Sequence, residues 1–241
     1  MNNCEIYFDD CFNIFDKIDD KSIKLIITDP PYLHNKGGGK THGTEGKSKI
    51  ANSKMYNFDS PMMKSMSSFG EHEINKMLDE FKRICIKLNA FIFCNDTQIP
   101  YYLNWCLKNK KKWTILTWEK PLSILNRNRY SQNLEYIVRV YDNGTGLNKI
   151  DLDKCPEKKE YYSKNRKMNQ PKGKNKFHPV QKPYEYIKGI VELNSDFSDI
   201  IFDPFMGSGE VGVVCRDLNR KFIGVEIEKE YFDVAKKRLE K

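Results

Sequence analysis

The stretch Ile200-Ile201-Phe202-Asp203-Pro204-Phe205-Met206-Gly207-Ser208-Gly209-Glu210-Val211-Gly212 decides the fold. An apolar run stops at an acid and a proline, a glycine-rich turn follows, and Glu210 to Leu218 then carries helical spacing. This is strand, turn, helix, with Gly207-x-Gly209-x-x-Gly212 across the turn. Lys221 to Glu226 reads as the next strand and ends on an acid. Glycines let the backbone approach a ligand closely, and an acid at the next strand end can accept hydrogen bonds from ribose hydroxyls. Together they point to an adenosine-type ligand. Only fifteen residues follow Glu226, which leaves no room for a second mononucleotide half, so a ligand with one nucleoside fits better than a dinucleotide.

Working outward, residues 4–8, 23–28 and 90–94, Trp113 to Trp118, and Leu134 to Tyr141 read as strands, because compact β-branched and aromatic runs end at polar or proline punctuation. Phe12, Ile14, Phe15 and Ile18 suit a short amphipathic helix. Ile74, Met77, Leu78, Phe81, Ile84, Cys85 and Leu88 recur at helical spacing. Further helices are expected from near Pro100 to residue 108, from Tyr184 to Leu193 behind Pro183, and from Glu228 to Leu239. Strands alternating with helices imply an α/β fold with a mostly parallel sheet, in one domain over residues 1–241. Residues 33–70 hold Gly37-Gly38-Gly39 and no sustained period, and read as a lid or a mobile loop insertion.

A second motif, Thr28-Asp29-Pro30-Pro31-Tyr32, follows the Leu25-Ile26-Ile27 strand. Ligands of open α/β sheets bind at the carboxyl ends of strands, so its position suggests a site. Pro30 and Pro31 stiffen the backbone, which holds the Asp29 carboxylate and the Pro30 carbonyl as acceptors beside the Tyr32 ring. Such a set suits a planar substrate bearing an NH₂ group. The plainer alternative is a proline turn with Asp29 as a helix cap and Tyr32 in the core.

Charge is concentrated in one place. The net charge is +8, yet the segment Lys154 to Lys182 has ten basic residues and two acids, leaving 31 basic and 31 acidic residues elsewhere. Hydrophobic residues make up 39% and charged residues 31%, the balance of a globular chain rather than a disordered one. No apolar run approaches the roughly 18 residues of a membrane span, and Met1-Asn2-Asn3-Cys4-Glu5 lacks the build of a signal peptide, so a cytoplasmic protein without membrane contact is expected. Seven cysteines without a Cys-x-x-Cys pair and four scattered histidines predict reduced thiols and no metal site.

The pair Asp29-Pro30-Pro31-Tyr32 and Phe205-Met206-Gly207-Ser208-Gly209 resembles the signature of amino-group DNA methyltransferases, and its order resembles their permuted, beta-type branch. Ile6-Tyr7-Phe8-Asp9-Asp10-Cys11 is similar to that branch's opening strand. His178-Pro179-Val180-Gln181-Lys182-Pro183 is similar to its His-Pro-Thr-Gln-Lys-Pro block, with Val180 in place of the usual threonine. The likeness covers residues 4–32, about 71–141 and 177–239.

This resemblance implies a Rossmann-like, S-adenosylmethionine-dependent methyltransferase fold: a mostly parallel twisted sheet flanked by helices, in permuted motif order. The implied activity is site-specific transfer of a methyl group to the N6 amine of an adenine flipped out of double-stranded DNA. Asp29 and Pro30 would accept the two amine hydrogens and Tyr32 would stack on the base. Asp10 would lie near the cofactor adenine. Asp203, Pro204, Phe205, Gly207, Ser208 and Gly209 would wrap the rest of the cofactor, and Glu226 would bind its ribose. Lys182 would meet the methionine carboxylate, or else be a surface lysine ahead of a helix; Asp203 could equally cap its turn.

The resemblance further places target recognition in a basic insertion over residues 142–177, where Lys164, Arg166, Lys167, Lys172, Lys174 and Lys176 would neutralise phosphates. A homodimer and a separate restriction endonuclease are partners it leaves open. Cytosine N4 is also a conjugated exocyclic amine and stands as the alternative target. RNA or protein glutamine methyltransferases usually begin the motif with Asn and place the glycine motif first. A nicotinamide oxidoreductase leaves the Asp29 motif without a purpose, and a non-catalytic nucleic-acid-binding module has no need of the cofactor motifs.

Overall fold

A computed structural model describes residues 4–32, 69–121, 133–169, 171 and 181–240. The segment 33–68, which holds most of the expected lid, lies outside the described residues, as do Lys172, Lys174, Lys176 and the His178-Pro179-Val180 part of its block.

Strands β1 (Cys4–Phe8), β2 (Leu25–Thr28), β3 (Asn89–Cys94), β4 (Lys112–Glu119), β5 (Leu134–Tyr141), β6 (Asn165–Lys167), β7 (Ile200–Asp203) and β8 (Lys221–Glu226) form one sheet. Its order is β1-β8-β7-β2-β3-β5-β4-β6. All neighbouring pairs run parallel except β5, which is antiparallel to both β3 and β4. The expected α/β class and mostly parallel sheet are what the chain adopts.

Strand alternation builds the core on both faces. In β2, Ile26 packs into one layer while Leu25 and Ile27 point to the other; in β3, Ala90, Ile92 and Cys94 oppose Phe91 and Phe93. A strand covered twice has no polar face, which is why these runs read as continuously apolar. Helices α1 (Cys11–Ile14), α2 (Glu71–Ile84) and α3 (Ile99–Lys108) cover the first layer, and α4 (Tyr184–Asn194), α5 (Glu210–Asp217) and α6 (Lys229–Leu239) the second.

Helix α2 buries Ile74, Met77, Leu78, Phe81 and Ile84, the face that their spacing predicts. It stops at Ile84, short of the expected Cys85 and Leu88. Ser22 and Ile23 donate backbone hydrogen bonds to Ile84 O, and Cys85 bridges to Ile23. Those pairings turn Cys85 into extended backbone while leaving it buried. Two elements had no clear signal: a 3-10 turn over Pro156–Tyr162 and the short polar strand β6. Among the described residues, no helix is long and apolar enough to cross a membrane.

Candidate active site where the sheet changes direction

The two motifs are far apart in sequence and adjacent in the sheet. β2 pairs with β7 through Leu25 with Ile201 and Ile26 with Phe202, so Asp29 and Asp203 leave neighbouring strand ends. From β7 the chain proceeds through α5 to β8 on one side, and from β2 through α2 to β3 on the other. Loops that diverge from adjacent parallel strands open a crevice, the usual ligand position in such sheets.

On the β7 side the backbone is held tightly. Gly209 begins α5 with φ of 77°, a left-handed conformation that favours glycine, and a side chain there would meet Ala235 Cβ at 3.0 Å. Glu226 Oε2 accepts the Gly207 N–H at 2.8 Å, and its Oε1 accepts the Glu228 N–H at 2.8 Å. Asp10 caps α1 by accepting the Phe12 N–H at 2.9 Å. β1 pairs with β8 so that Phe8 faces Glu226, which brings the two acids to adjoining strand ends. Asp203 is buried and accepts the Phe205 N–H at 3.1 Å. Burial pushes its carboxyl up to about 8, against the hydrogen bonds from Phe205 and Thr28, and with the help of the Asp29 and Glu226 charges. Phe205 stands edge-on to Phe69, 5.4 Å between ring centroids.

A second clamp on this turn escapes sequence reading. The buried Glu210 carboxylate accepts hydrogen bonds from Gln181 Nε2 at 2.7 Å and Arg238 Nη2 at 2.6 Å, while Arg238 Nη1 donates to Ser208 O at 2.7 Å. Three stretches distant in sequence thus lock Ser208. The donor set of this half, two carboxylates on adjoining strand ends beside a turn with little side-chain bulk, suits a ligand with one ribose and a planar amine-bearing ring. S-adenosylmethionine fits that description.

On the β2 side, Asp29 does not cap a helix. Its Oδ2 lies 2.8 Å from Lys182 Nζ, and its Oδ1 is shut off from solvent without a hydrogen-bond partner among the described residues. Lys182 is 7% exposed, so it is no surface lysine. Its ammonium also sits 2.9 Å from Glu135 Oε2 and 3.4 Å from the Tyr32 hydroxyl, and Glu135 pairs with Lys120. Burial pushes Asp29 above the usual carboxylate range; Lys182 pulls it down and Glu135 pushes it up. Glu135 sits below its ordinary value, because Lys182 and Lys120 outweigh its burial. Gln98 Nε2 donates to Pro31 O at 3.0 Å and fixes the proline turn from α3's amino end. Glu135 and Gln98 were not expected. The one signal for Glu135 is an acid in the otherwise apolar opening of β5.

In the basic segment, Lys164 and Lys167 are exposed, as phosphate contacts must be. Arg166 is corrected: it is 4% exposed, and both of its terminal nitrogens bond internally. Its Nη1 bonds Tyr186 O at 3.1 Å and its Nη2 bonds Glu185 O at 2.9 Å, with the guanidinium over the rings of Tyr161 and Tyr186. β6 alternates along the sheet edge, and the middle residue faces in.

The DNA methylase family model N6_N4_Mtase matches residues 23–237. The Type II methyltransferase M2.LlaDCHI of Lactococcus lactis subsp. cremoris is 30% identical, covering 96% of this chain and 87% of its own. The Type II methyltransferase M2.DpnII of Streptococcus pneumoniae is 28% identical over 99% of this chain and 90% of its own. Among solved structures, the M1.HpyAVI–SAM complex superposes with a TM-score of 0.68 at 26% identity, covering 98% of each chain.

Proposed function

The chain belongs to the DNA methylase family, and from that premise we propose that it methylates the exocyclic N6 amine of an adenine swung out of double-stranded DNA. Membership makes it an S-adenosylmethionine-dependent DNA methyltransferase. When bound, S-adenosylmethionine supplies a methyl group on a positively charged sulfur. The residues that would hold it are Asp10, Asp203 to Phe205, Gly207 to Gly209 and Glu226.

The observation that carries the reading is Asp29: one carboxylate oxygen is held by Lys182 and the other is buried without a hydrogen-bond partner among the described residues. An adenine amine is a weak nucleophile because its lone pair is delocalised into the ring. Asp29 Oδ1 and the Pro30 carbonyl accept its two hydrogens, which reduces that delocalisation and aims the nitrogen. Orientation of this kind can be worth about 7–11 kcal/mol of barrier. Tyr32 stacks on the flipped base and offsets part of an unstacking cost of a few kcal/mol.

The reading includes a single domain in permuted motif order, recognition through the 142–177 insertion, and a cytoplasmic location. It also leaves places for a second copy of the chain and for an endonuclease on a separate polypeptide. Incubation with methyl-labelled S-adenosylmethionine and unmethylated DNA, followed by digestion to nucleosides, tests it. Label is expected in N6-methyldeoxyadenosine; label in N4-methyldeoxycytidine would select the alternative target, and none in any nucleoside would refute the reading.

A further inference from the structure

Lys182 stands inside a row of alternating charge, Asp29, Lys182, Glu135 and Lys120, whose middle pair is buried and whose two ends are partly exposed. The side chains of Lys182 and Glu135 are 8% and 10% exposed. The row joins four places in the fold: the turn after β2, the residue leaving β4, the start of β5 and the entry to α4. Well-packed apolar side chains often stabilise a buried position as well as an ion pair does, so stability alone does not account for the buried Lys182–Glu135 pair.

We propose that Lys182 is a positioning residue on the target-base side of the site, where it keeps the Asp29 carboxylate ionised and turned, and that Glu135 anchors Lys182 for that task. The inference rests on the reading of Asp29 as the acceptor for the amine. The ionised carboxylate is the stronger acceptor, whereas a protonated one offers weaker oxygens, one of them carrying a hydrogen that faces the amine's own. Burial and the charge of Glu135 both favour the protonated form of Asp29, and Lys182 is the cation that opposes them. Lys182 occupies Oδ2, whereas Oδ1 has no hydrogen-bond partner within bonding geometry among the described residues, although the Tyr32 hydroxyl lies near the same carboxylate. Glu135, itself held by Lys120, takes the other side of the ammonium, and the rings of Phe93 and Tyr32 lie 4.9 and 5.6 Å from it. Lys182 therefore has little freedom to leave Asp29 for a cofactor carboxylate.

The other titratable groups around Asp29 are Tyr32 on its own turn, Cys94 at the end of β3, Tyr102 on α3 and Asp203 on β7. Burial holds Tyr32, Cys94 and Tyr102 neutral through the working range. Asp203 is raised to about 8, chiefly by its own burial, above the acidic limb at issue.

The test uses the full chain and unmethylated duplex DNA, and follows single-turnover methyl transfer against pH alongside calorimetric titration with S-adenosylmethionine. In Lys182→Met the acidic limb of the rate is expected to move up by about 1–3 pH units, the shift an adjacent opposite charge commands. At pH values below both limbs the rate should then fall about tenfold for each unit the limb has moved, while cofactor affinity stays within about twofold. Glu135→Gln keeps an amide oxygen to hold the ammonium while removing a charge that raises Asp29, so there the limb is expected to move the other way. Lys182→Arg keeps the cation and is expected to hold the limb near its wild-type position. A Lys182→Met protein that loses cofactor affinity with an unmoved limb would overturn the inference and give the ammonium to the cofactor. So would a limb that moves equally in the Arg and Met variants. Asp29→Ala, which removes the acceptor, separates the two levels: if it retains turnover, the reading of Asp29 fails, whereas an inactive Asp29→Ala beside an unmoved limb in Lys182→Met sinks this inference alone.

Discussion

Asp203 carries a pH signature that the Asp29 row does not. Its carboxyl is raised to about 8 in the folded chain, chiefly by burial, from an ordinary value of 3.8. The folded state therefore holds a proton that the unfolded state releases between those values. Stability falls as pH rises through that window, by on the order of 1.4 kcal/mol per unit of difference at most. Asp203→Asn removes the ionisation but keeps an oxygen for the Phe205 N–H. The variant's melting temperature is expected to gain steadily on the wild type's from pH 5 to about pH 8 and to hold that lead above it. Parallel melting curves across that range would refute the shift. At this scale the acids were legible in the sequence, because Asp29, Asp203 and Glu226 each end an apolar run. Their partners were not. Lys182 reaches Glu135 across 47 positions, and Arg238 reaches Ser208 across 30, pairings that depend on which strands lie side by side.

Among the elements, α5 is seated by the absence of a side chain. A Cβ on Gly212 would lie 2.7 Å from a ring carbon of Phe222 and 2.8 Å from Leu239 Cδ2, so the helix sits directly on β8 with α6 closing over it. Gly212→Ala must push one of them away. Such overpacking costs about 1–3 kcal/mol, a fall in Tm of about 2–4 °C for each kcal/mol in a chain of this size. Because the displaced helix begins at the turn that Ser208 and Gly209 complete, cofactor affinity is expected to fall with it. Calorimetric melting and cofactor titration on one preparation check both, and a variant as stable as the wild type would show that the contact relaxes freely. The same helix shows what pattern reading captures: the third glycine of the motif marks it, and its limits were expected to within one residue. β6 was missed because Asn-Arg-Lys has neither apolar content nor length; the edge of β4 makes it a strand.

For the whole molecule, the question is which of the ten basic residues from Lys154 to Lys182 remain available to a polyanion. The fold withdraws two of them. Arg166 is spent on Glu185 and Tyr186 carbonyls and Lys182 on Asp29 and Glu135. Lys158 is also engaged, 2.8 Å from Glu192. Lys154 and Lys167 are exposed but lie 2.9 Å from Asp151 and 3.5 Å from Glu119, so the exposed Lys159 and Lys164, with Lys172, Lys174 and Lys176 outside the described residues, carry most of the surplus charge. Binding through phosphates releases counterions, so each contact contributes about 0.9 to the slope of log affinity against log salt concentration. Lys172→Glu, Lys174→Glu and Lys176→Glu together are expected to weaken DNA binding and flatten that slope. Arg166→Ala is expected to lower the melting temperature, since it leaves two aromatic faces and two carbonyls without their partner, while the slope stays where it was. Fluorescence titrations at several salt concentrations distinguish the two effects. An unchanged slope in the triple variant would remove the segment from the DNA face, and a flattened slope in Arg166→Ala would show that its interior bonds yield to phosphate.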